Sequence, residues 1–390
     1  MNKIIESISY YKNIVTTYIR IEELKKLKTS GKKIVGIFCN FAPLELIYAC
    51  DLIPIRLCAG SYNTIHPAEE ILPRDICPLI KSSFGLKLLK QSYFELCDLV
   101  IIPTTCDGKM KLGEILSDYL PVWVLNVPHI KNIQIVKNFW LNEVKTLKEK
   151  LEQFSRTKIT ADRLKNSIKK LYNRQKVFRK LLQLRTQEPP LINGRDFLFI
   201  TQASFYDDID RWTEKTEQLC EELSTQIKDK IRQQNDLHKP RLLLTGAPII
   251  WPNWKILNVV EEAGAVIVAD DICSGTQALY DLVEVDEWTQ EAMLIAIATR
   301  YLLPTVCPCF IESNDRIDKI LNLINEFNID GVVYHSLRLC QLYDIESYRI
   351  RQILKERKIP MLDIHTDYSQ EDIEQIKTRV EAFLEMIKTK

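Results

Sequence analysis

Eleven cysteines and only five histidines stand in this 390-residue chain, and the placing of seven of those cysteines points to chemistry. Cys39 follows the run IVGIF, Cys106 follows LVIIP, Cys273 follows VIVAD, and Cys340 lies just beyond GVVYH. Each run is apolar and β-prone, so each reads as a strand, and each thiol stands where a strand stops. Cys77 in LPRDICPLI, and Cys307 and Cys309 in LLPTVCPCF, sit in loops that both contain Cys-Pro. Proline there fixes the backbone and removes a competing N–H donor. A free cysteine taken alone is ordinarily a small buried hydrophobe. Cys50, Cys58, Cys97 and Cys220 lie inside helix or strand patterns and read as such core residues. The other seven repeat one arrangement, two strand-end thiols and one Cys-Pro loop in each half of the chain, which points to a multi-thiolate site. No C-x-x-C pair occurs, so neither a zinc ribbon nor a thioredoxin-type pair is indicated. Scattered, thiolate-only ligation without histidine companions favours an iron–sulfur cluster. Three cysteines per half would leave one iron of a cubane with a non-protein ligand.

The elements that would carry these thiols follow from the apolar pattern. Residues 1–30 show helical spacing at Ile4, Ile8, Ile14, Ile21 and Leu24. Four strand candidates then alternate with helical stretches: KKIVGIF, LIPIRLC, DLVIIPTTC and LPVWVLNVP. Pro43 in APLELIYAC suits a first helical turn. From about Phe139 the chain turns Lys-rich, amphipathic and free of Gly and Pro, which predicts long exposed helices until QEPPLING stops them. A second alternating stretch begins at Pro240 with RLLLTGAPI, VIVADDIC, IDGVVYHSLRLC and IPMLDIHTDY, and ends in a helix for which Ser369 is the expected N-cap. The fold class is therefore α/β: two lobes with parallel sheets flanked by helices, joined by a helical section. The expected boundaries are a helical segment at 1–30, a first lobe at 31–138, a helical connection at 139–239 and a second lobe at 240–390. In open parallel sheets, ligands bind outside the carboxyl ends of the strands, so the strand-end thiols face the functional edge of each lobe.

Composition excludes several classes. A formal net charge of +1 gives no basic field for nucleic acid. Hydrophobic residues at 46% and charged residues at 27% fit a globular protein with substantial cores. The opening MNKIIESISYYKNIV lacks a signal-peptide pattern, and no run approaches the roughly 20 apolar residues of a membrane span. The expected location is cytoplasmic, where a disulfide framework is disfavoured. Neither G-x-x-x-x-G-K-[ST] nor G-x-G-x-x-G is present.

The blocks LPRDICPLIKSSFG, TTCDGKMKL, LLLTGAPI, VADDICSGTQ and DGVVYHSLRLC resemble the 2-hydroxyacyl-CoA dehydratase / benzoyl-CoA reductase subunit family, and within it the double-cubane cluster proteins. The resemblance implies two flavodoxin-like lobes with a cluster in the cleft between them. It implies six ligands, Cys39, Cys77, Cys106, Cys273, Cys340 and one of the Cys307/Cys309 pair, with Cys309 favoured and Cys307 the alternative. These would hold a double-cubane cluster, two 4Fe-4S cubanes joined by a bridging sulfide; a single 4Fe-4S cluster is the alternative. Ala247 in TGAP departs from relatives that carry Cys there. The resemblance also implies a separate ATP-hydrolysing activator with its own 4Fe-4S cluster, a small-molecule substrate, a homodimer and an oxygen-sensitive, anaerobic setting. The function it implies is an iron–sulfur reductase component, with a 2-hydroxyacyl-CoA dehydratase subunit and a non-enzymatic electron-transfer protein as alternatives. Lys81 and Lys109 are candidates for positive charge beside an anionic cluster, Asp107 for an Asx-turn at the CDG corner, and Glu45 for a proton donor.

Overall fold

The computed structural model describes residues 2–17, 19–90, 93–230 and 239–389. Among the described residues, eight strands form two sheets. Strands β1 (Ile34–Ile37), β2 (Ile53–Arg56), β3 (Leu99–Pro103) and β4 (Val122–Leu125) pair in the order β2-β1-β3-β4. Strands β5 (Arg241–Gly246), β6 (Val266–Asp271), β7 (Gly331–Leu337) and β8 (Met361–Thr366) pair in the order β6-β5-β7-β8. Every pairing is parallel. The second sheet thus repeats the first, strand for strand. The inner strands β1, β3, β5 and β7 are buried at every residue, as sheets covered by helices on both faces require. In each sheet the strand order reverses beside the first strand, between β1 and β3 and between β5 and β7. Such a switch point opens a crevice at the carboxyl ends of the strands.

The helical section is less exposed than its Lys-rich sequence suggests. The helix Ala161–Leu184 buries Leu164, Ile168, Leu171, Phe178 and Leu181, and packs on the helices Leu44–Ala49 and Ile209–Lys230. In the helix Gln134–Ser155, Trp140 is buried and its indole N–H donates to Ala298 O at 2.9 Å. The N-terminal helix Asn2–Thr16 packs against Gly194–Ala203. Several helix starts are fixed by side-chain caps: Thr160 Oγ1 accepts the Arg163 N–H, and Asn193 Oδ1 that of Asp196.

Three local expectations are corrected. Pro43 is the N-cap of the helix Leu44–Ala49, one position before its first turn. Asp107 does not turn the chain away: it is the first residue of the helix Asp107–Leu116, whose N-cap is Cys106. The terminal helix begins at Ile373 with Asp372 as its N-cap, while Ser369 lies upstream with its carbonyl bonded to Lys255.

Candidate thiol-rich metal centre

The thiols reach the seam between the lobes because strands end there and helices begin. Cys39 is two residues past β1, in a left-handed backbone conformation (φ 56°). Leu339, just before Cys340, is also left-handed (φ 65°). Non-glycine residues in this region carry strain of about 1–2 kcal/mol each, and such strain gathers at functional sites. Cys77, Cys106 and Cys340 are the N-cap residues of the helices Pro78–Leu88, Asp107–Leu116 and Gln341–Glu356. Free N–H groups and the helix dipole favour a thiolate at such a position.

Six of the seven sequence-read thiols, Cys39, Cys106, Cys273, Cys307, Cys309 and Cys340, feel one cation, Lys109, and Cys77 joins them through Cys340. Lys109 Nζ lies 2.7 Å from Cys39 Sγ and 3.4 Å from Thr105 Oγ1. Burial pulls the Lys109 ammonium down, but the sulfurs of Cys39, Cys106, Cys58 and Cys273 outweigh it and hold the pKa well above the ordinary lysine range. Across the seam, Cys340 and Cys77 are coupled: the pairing lowers the Cys77 pKa against burial and, with burial, raises that of Cys340. Cys309 and Cys307 are likewise coupled, which brings Cys307 to about 7 despite burial and raises Cys309. Burial, reinforced by Cys39, pushes Cys273 up to about 12. Burial also raises Cys106, with Lys109 opposing. Both members of the Cys-Pro-Cys loop feel Lys109, so both belong to the site's surroundings.

First-lobe side chains hold the second-lobe thiol segments. The Cys273 carbonyl accepts from Asn40 Nδ2 at 2.9 Å and from Arg56 Nη1 at 3.4 Å. The His129 ring Nδ1 lies 2.9 Å from Cys309 O, and the Ile311 N–H donates to His129 O. Lys131 Nζ donates to Leu303 O and Thr305 O just upstream of the same loop. Within the second lobe, the buried Arg316 touches each segment that ends in a thiol. Its guanidinium donates to Val306 O (3.1 Å) and Thr245 Oγ1 (3.1 Å), and stands 3.0 Å from Glu346 Oε2 and 3.8 Å from Asp271 Oδ2. Val306 precedes Cys307, Asp271 lies two residues before Cys273, and Glu346 is on the helix that Cys340 caps.

Other sequence candidates stand apart from the thiols. Lys81 is engaged by Glu69 Oε1 and Arg74 O, both at 2.8 Å, so its charge is already matched. Glu45 is 1% exposed, its carboxylate against Tyr301 and Arg174 in the helical section. Cys50, Cys97 and Cys220 are buried in the cores as expected. Cys58 is buried in the core as expected, two residues past the end of β2, where Cys39 and Lys109 act on it.

The donor set fits a polynuclear cluster. It is all thiol, with a cation enclosed among the sulfurs and N-terminal helix dipoles aimed at three of them. Among the described residues, no three His, Cys, Asp or Glu converge as the ligands of one metal ion do. A cubane instead distributes its thiolates over several irons.

Two α/β lobes with a thiol-lined seam define the class. The family described as 2-hydroxyglutaryl-CoA dehydratase, D-component, matches residues 39–387, and the chain belongs to it. Relatives span nearly the whole chain. The "Putative dehydratase subunit YjiM" of Escherichia coli (strain K12) is 33% identical, over 93% of each chain. The (R)-2-hydroxyglutaryl-CoA dehydratase subunit beta of Acidaminococcus fermentans is 25% identical, over 93% of this chain and 95% of its own. A benzoyl-CoA reductase component of Thauera aromatica is 21% identical, over 92% of each. Among solved structures, the periplasmic zinc binding protein TroA of Treponema pallidum matches at 10% identity, covering 91% of this chain and 99% of that one. Its TM-score of 0.20 is too low to carry an inference. The dehydratase and reductase relatives make this chain a component of an enzyme family. Among the described residues, no helix is long and apolar enough to cross a membrane.

Proposed function

We propose that this chain is the cluster-holding component of a low-potential reductase. One observation carries the reading: thiols from both lobes surround the single ammonium of Lys109. Cys39, Cys77, Cys106, Cys273, Cys340 and Cys309, with Cys307 as the alternative to Cys309, are the residues that would hold a double-cubane cluster. When bound, such a cluster supplies low-potential electrons to a small-molecule substrate. Lys109 offsets the negative charge of the thiolates. Asn40, Arg56 and His129 keep the second-lobe segments in register with the first. The chain carries no nucleotide-binding motif of its own, which supports an ATP-hydrolysing activator, with its own 4Fe-4S cluster, as electron source. A homodimer and a cytoplasmic, anaerobic setting complete the proposal.

The names of the relatives favour a second reading, a 2-hydroxyacyl-CoA dehydratase subunit with a single 4Fe-4S cluster. Anaerobic iron and sulfide analysis with EPR on freshly purified protein separates the two. About eight irons per chain supports the reductase component, and about four the dehydratase subunit. ATP- and activator-dependent reduction of acetylene, hydrazine or azide tests the activity. Inactivity across these substrates with a competent activator would leave an electron-transfer role.

A further inference from the structure

Two buried arginines share the walls of one small cavity. Arg56, the last residue of β2, and Arg174, in the helix Ala161–Leu184, line a space of about 20 Å³. They are 7% and 4% exposed, and the Nε–H of each finds no hydrogen-bond partner. Arg56 directs Nη1 at the Cys273 carbonyl, 3.4 Å away, and its guanidinium lies 4.2 Å from the centre of the Phe205 ring. No Asp or Glu lines the cavity. Its other polar walls are Tyr48 and Ser204, and the Ser204 hydroxyl is already donated to Thr201 O at 2.6 Å. The carboxylate that acts on Arg174 is Glu45, yet its Oε2 is itself without a hydrogen-bond partner. Arg300, also buried, adds like charge beside Arg174.

A guanidinium carries five N–H donors in a fixed fork and stays charged. Folded proteins hold such a charge, once buried, with opposite charge and hydrogen bonds, because desolvation is otherwise uncompensated. Here two forks border one space with donors to spare and no acid in its walls, so the chemistry of the walls is that of an anion receptor. Size narrows the guest. About 10–15 Å³ is needed to hold one water, so the cavity admits a single guest of roughly that bulk and excludes a sulfate, a phosphate or an organic carboxylate.

We propose that this cavity binds one small monovalent inorganic anion, chloride by size, between the guanidinium groups of Arg56 and Arg174. Its walls come from three parts of the chain: Tyr48 and Arg56 from the first lobe, Arg174 and Ser204 from the helical section, Ala278 and Leu279 from the second lobe. The bound anion therefore ties both lobes to the helical section, and it does so beside the arginine that holds the Cys273 carbonyl. No thiol lines the cavity, so the site stands whether or not the cluster reading does.

The test uses the full chain, purified anaerobically and exchanged into sodium gluconate, then titrated with sodium chloride at constant ionic strength. Hydrogen exchange read by mass spectrometry locates any response. The expected result is saturable protection, by chloride, of the peptides that carry Arg56, Arg174, Ser204 and Ala278, with no change in the terminal helix Ile373–Lys388. Sulfate, too large for the cavity, should give none of it. Arg174→Gln should weaken the apparent chloride affinity about tenfold or more, since it removes hydrogen bonds to a charged group, and Arg174→Lys should keep part of it. A wild-type chain with no saturable protection at these peptides overturns the proposal; this is also the outcome if Arg174 swings to pair with Glu45. Equal protection by sulfate overturns it as well, because the effect is then one of salt and not of this cavity. So does a folded Arg174→Gln variant with the wild-type chloride response. The wild-type titration decides the matter even where the variants do not fold.

Discussion

Replacing Lys109 by Met probes the electrostatics of the site most directly. The ammonium stands 2.7 Å from Cys39 Sγ. At that separation, with an effective dielectric near 20, a unit pair is worth about 6 kcal/mol. Cluster charge is spread over several sulfurs and irons, which at least halves the figure, to about 3 kcal/mol. At 59 mV per 1.4 kcal/mol for one electron, removing the cation should lower the midpoint potential by about 130 mV. The sign is fixed, because the reduced form carries one more negative charge and loses more when the ammonium goes. Lys109→Arg keeps the charge but spreads it over a planar fork, so most of the potential should be retained. The assay is an EPR-monitored redox titration of anaerobic protein, with iron content measured alongside. A Lys109→Met variant with full iron and a midpoint within about 20 mV of wild type would refute the placement of this cation, since even a heavily screened charge at the thiolates gives more.

Arg316→Met should leave Asp271 and Glu346 buried without their cation, a loss of about 3–5 kcal/mol, and should loosen all three second-lobe thiol segments; urea denaturation and iron content check it, with Arg316→Lys expected to fall between. Gly60→Ala should lower stability by about 1–3 kcal/mol, because its Cβ would stand 2.0 Å from Ile250 O, a backbone atom across the lobe seam that cannot rotate away; thermal unfolding reads this. His335 is fully buried, and burial lowers its pKa to about 4. The unfolded chain takes up this proton near pH 6.5 and the folded chain does not, so this contribution is present above pH 6.5 and lost as pH falls toward 4. Between pH 7 and pH 5 the loss is about 2 kcal/mol. Glu261, raised by burial to about 7, acts in the opposite direction over an overlapping range in both proteins. The measurement is therefore the stability difference between wild type and His335→Gln, which should shift against wild type by that amount on acidification; a pH-independent difference would contradict it.

The strands were legible because burial on both faces leaves a continuous apolar run. LVIIP, RLLLTG and VIVADD have no alternation to be mistaken for anything else, and each is a strand in the structure. The placing of Cys39, Cys106, Cys273 and Cys340 was legible for a related reason: the end of such a run marks the edge of the sheet. What failed is whatever depends on where a run ends to within two residues. Asp107-Gly108 has the composition of a turn, yet the chain enters a helix there, with Ile80 close enough that a Cβ on Gly108 would stand 3.2 Å from it. Arg316 gave no signal at all. An arginine in the first turn of NDRIDKILNLINE reads as solvated, and it points inward because Asp271 and Glu346, far apart in sequence, meet behind it.

The two halves of the site are braced differently, and the difference follows from their cations. In the first lobe the cation touches sulfur directly: Lys109 is a single ammonium on a flexible stem, one helical turn from Cys106. In the second lobe the cation is one layer back. Arg316 engages two buried carboxylates, a carbonyl and a hydroxyl on the segments behind Cys273, Cys307 and Cys340, a task suited to a planar fork and not to a point charge. A compact ammonium can move as charge is added or withdrawn; a guanidinium with four partners cannot. Perturbing the first lobe should therefore register chiefly in the potential, and perturbing the second chiefly in whether iron is held at all. A titration of both variants that found the reverse, with Lys109→Met stripped of iron and Arg316→Met fully loaded but shifted in potential, would show that the lobes divide the work the other way.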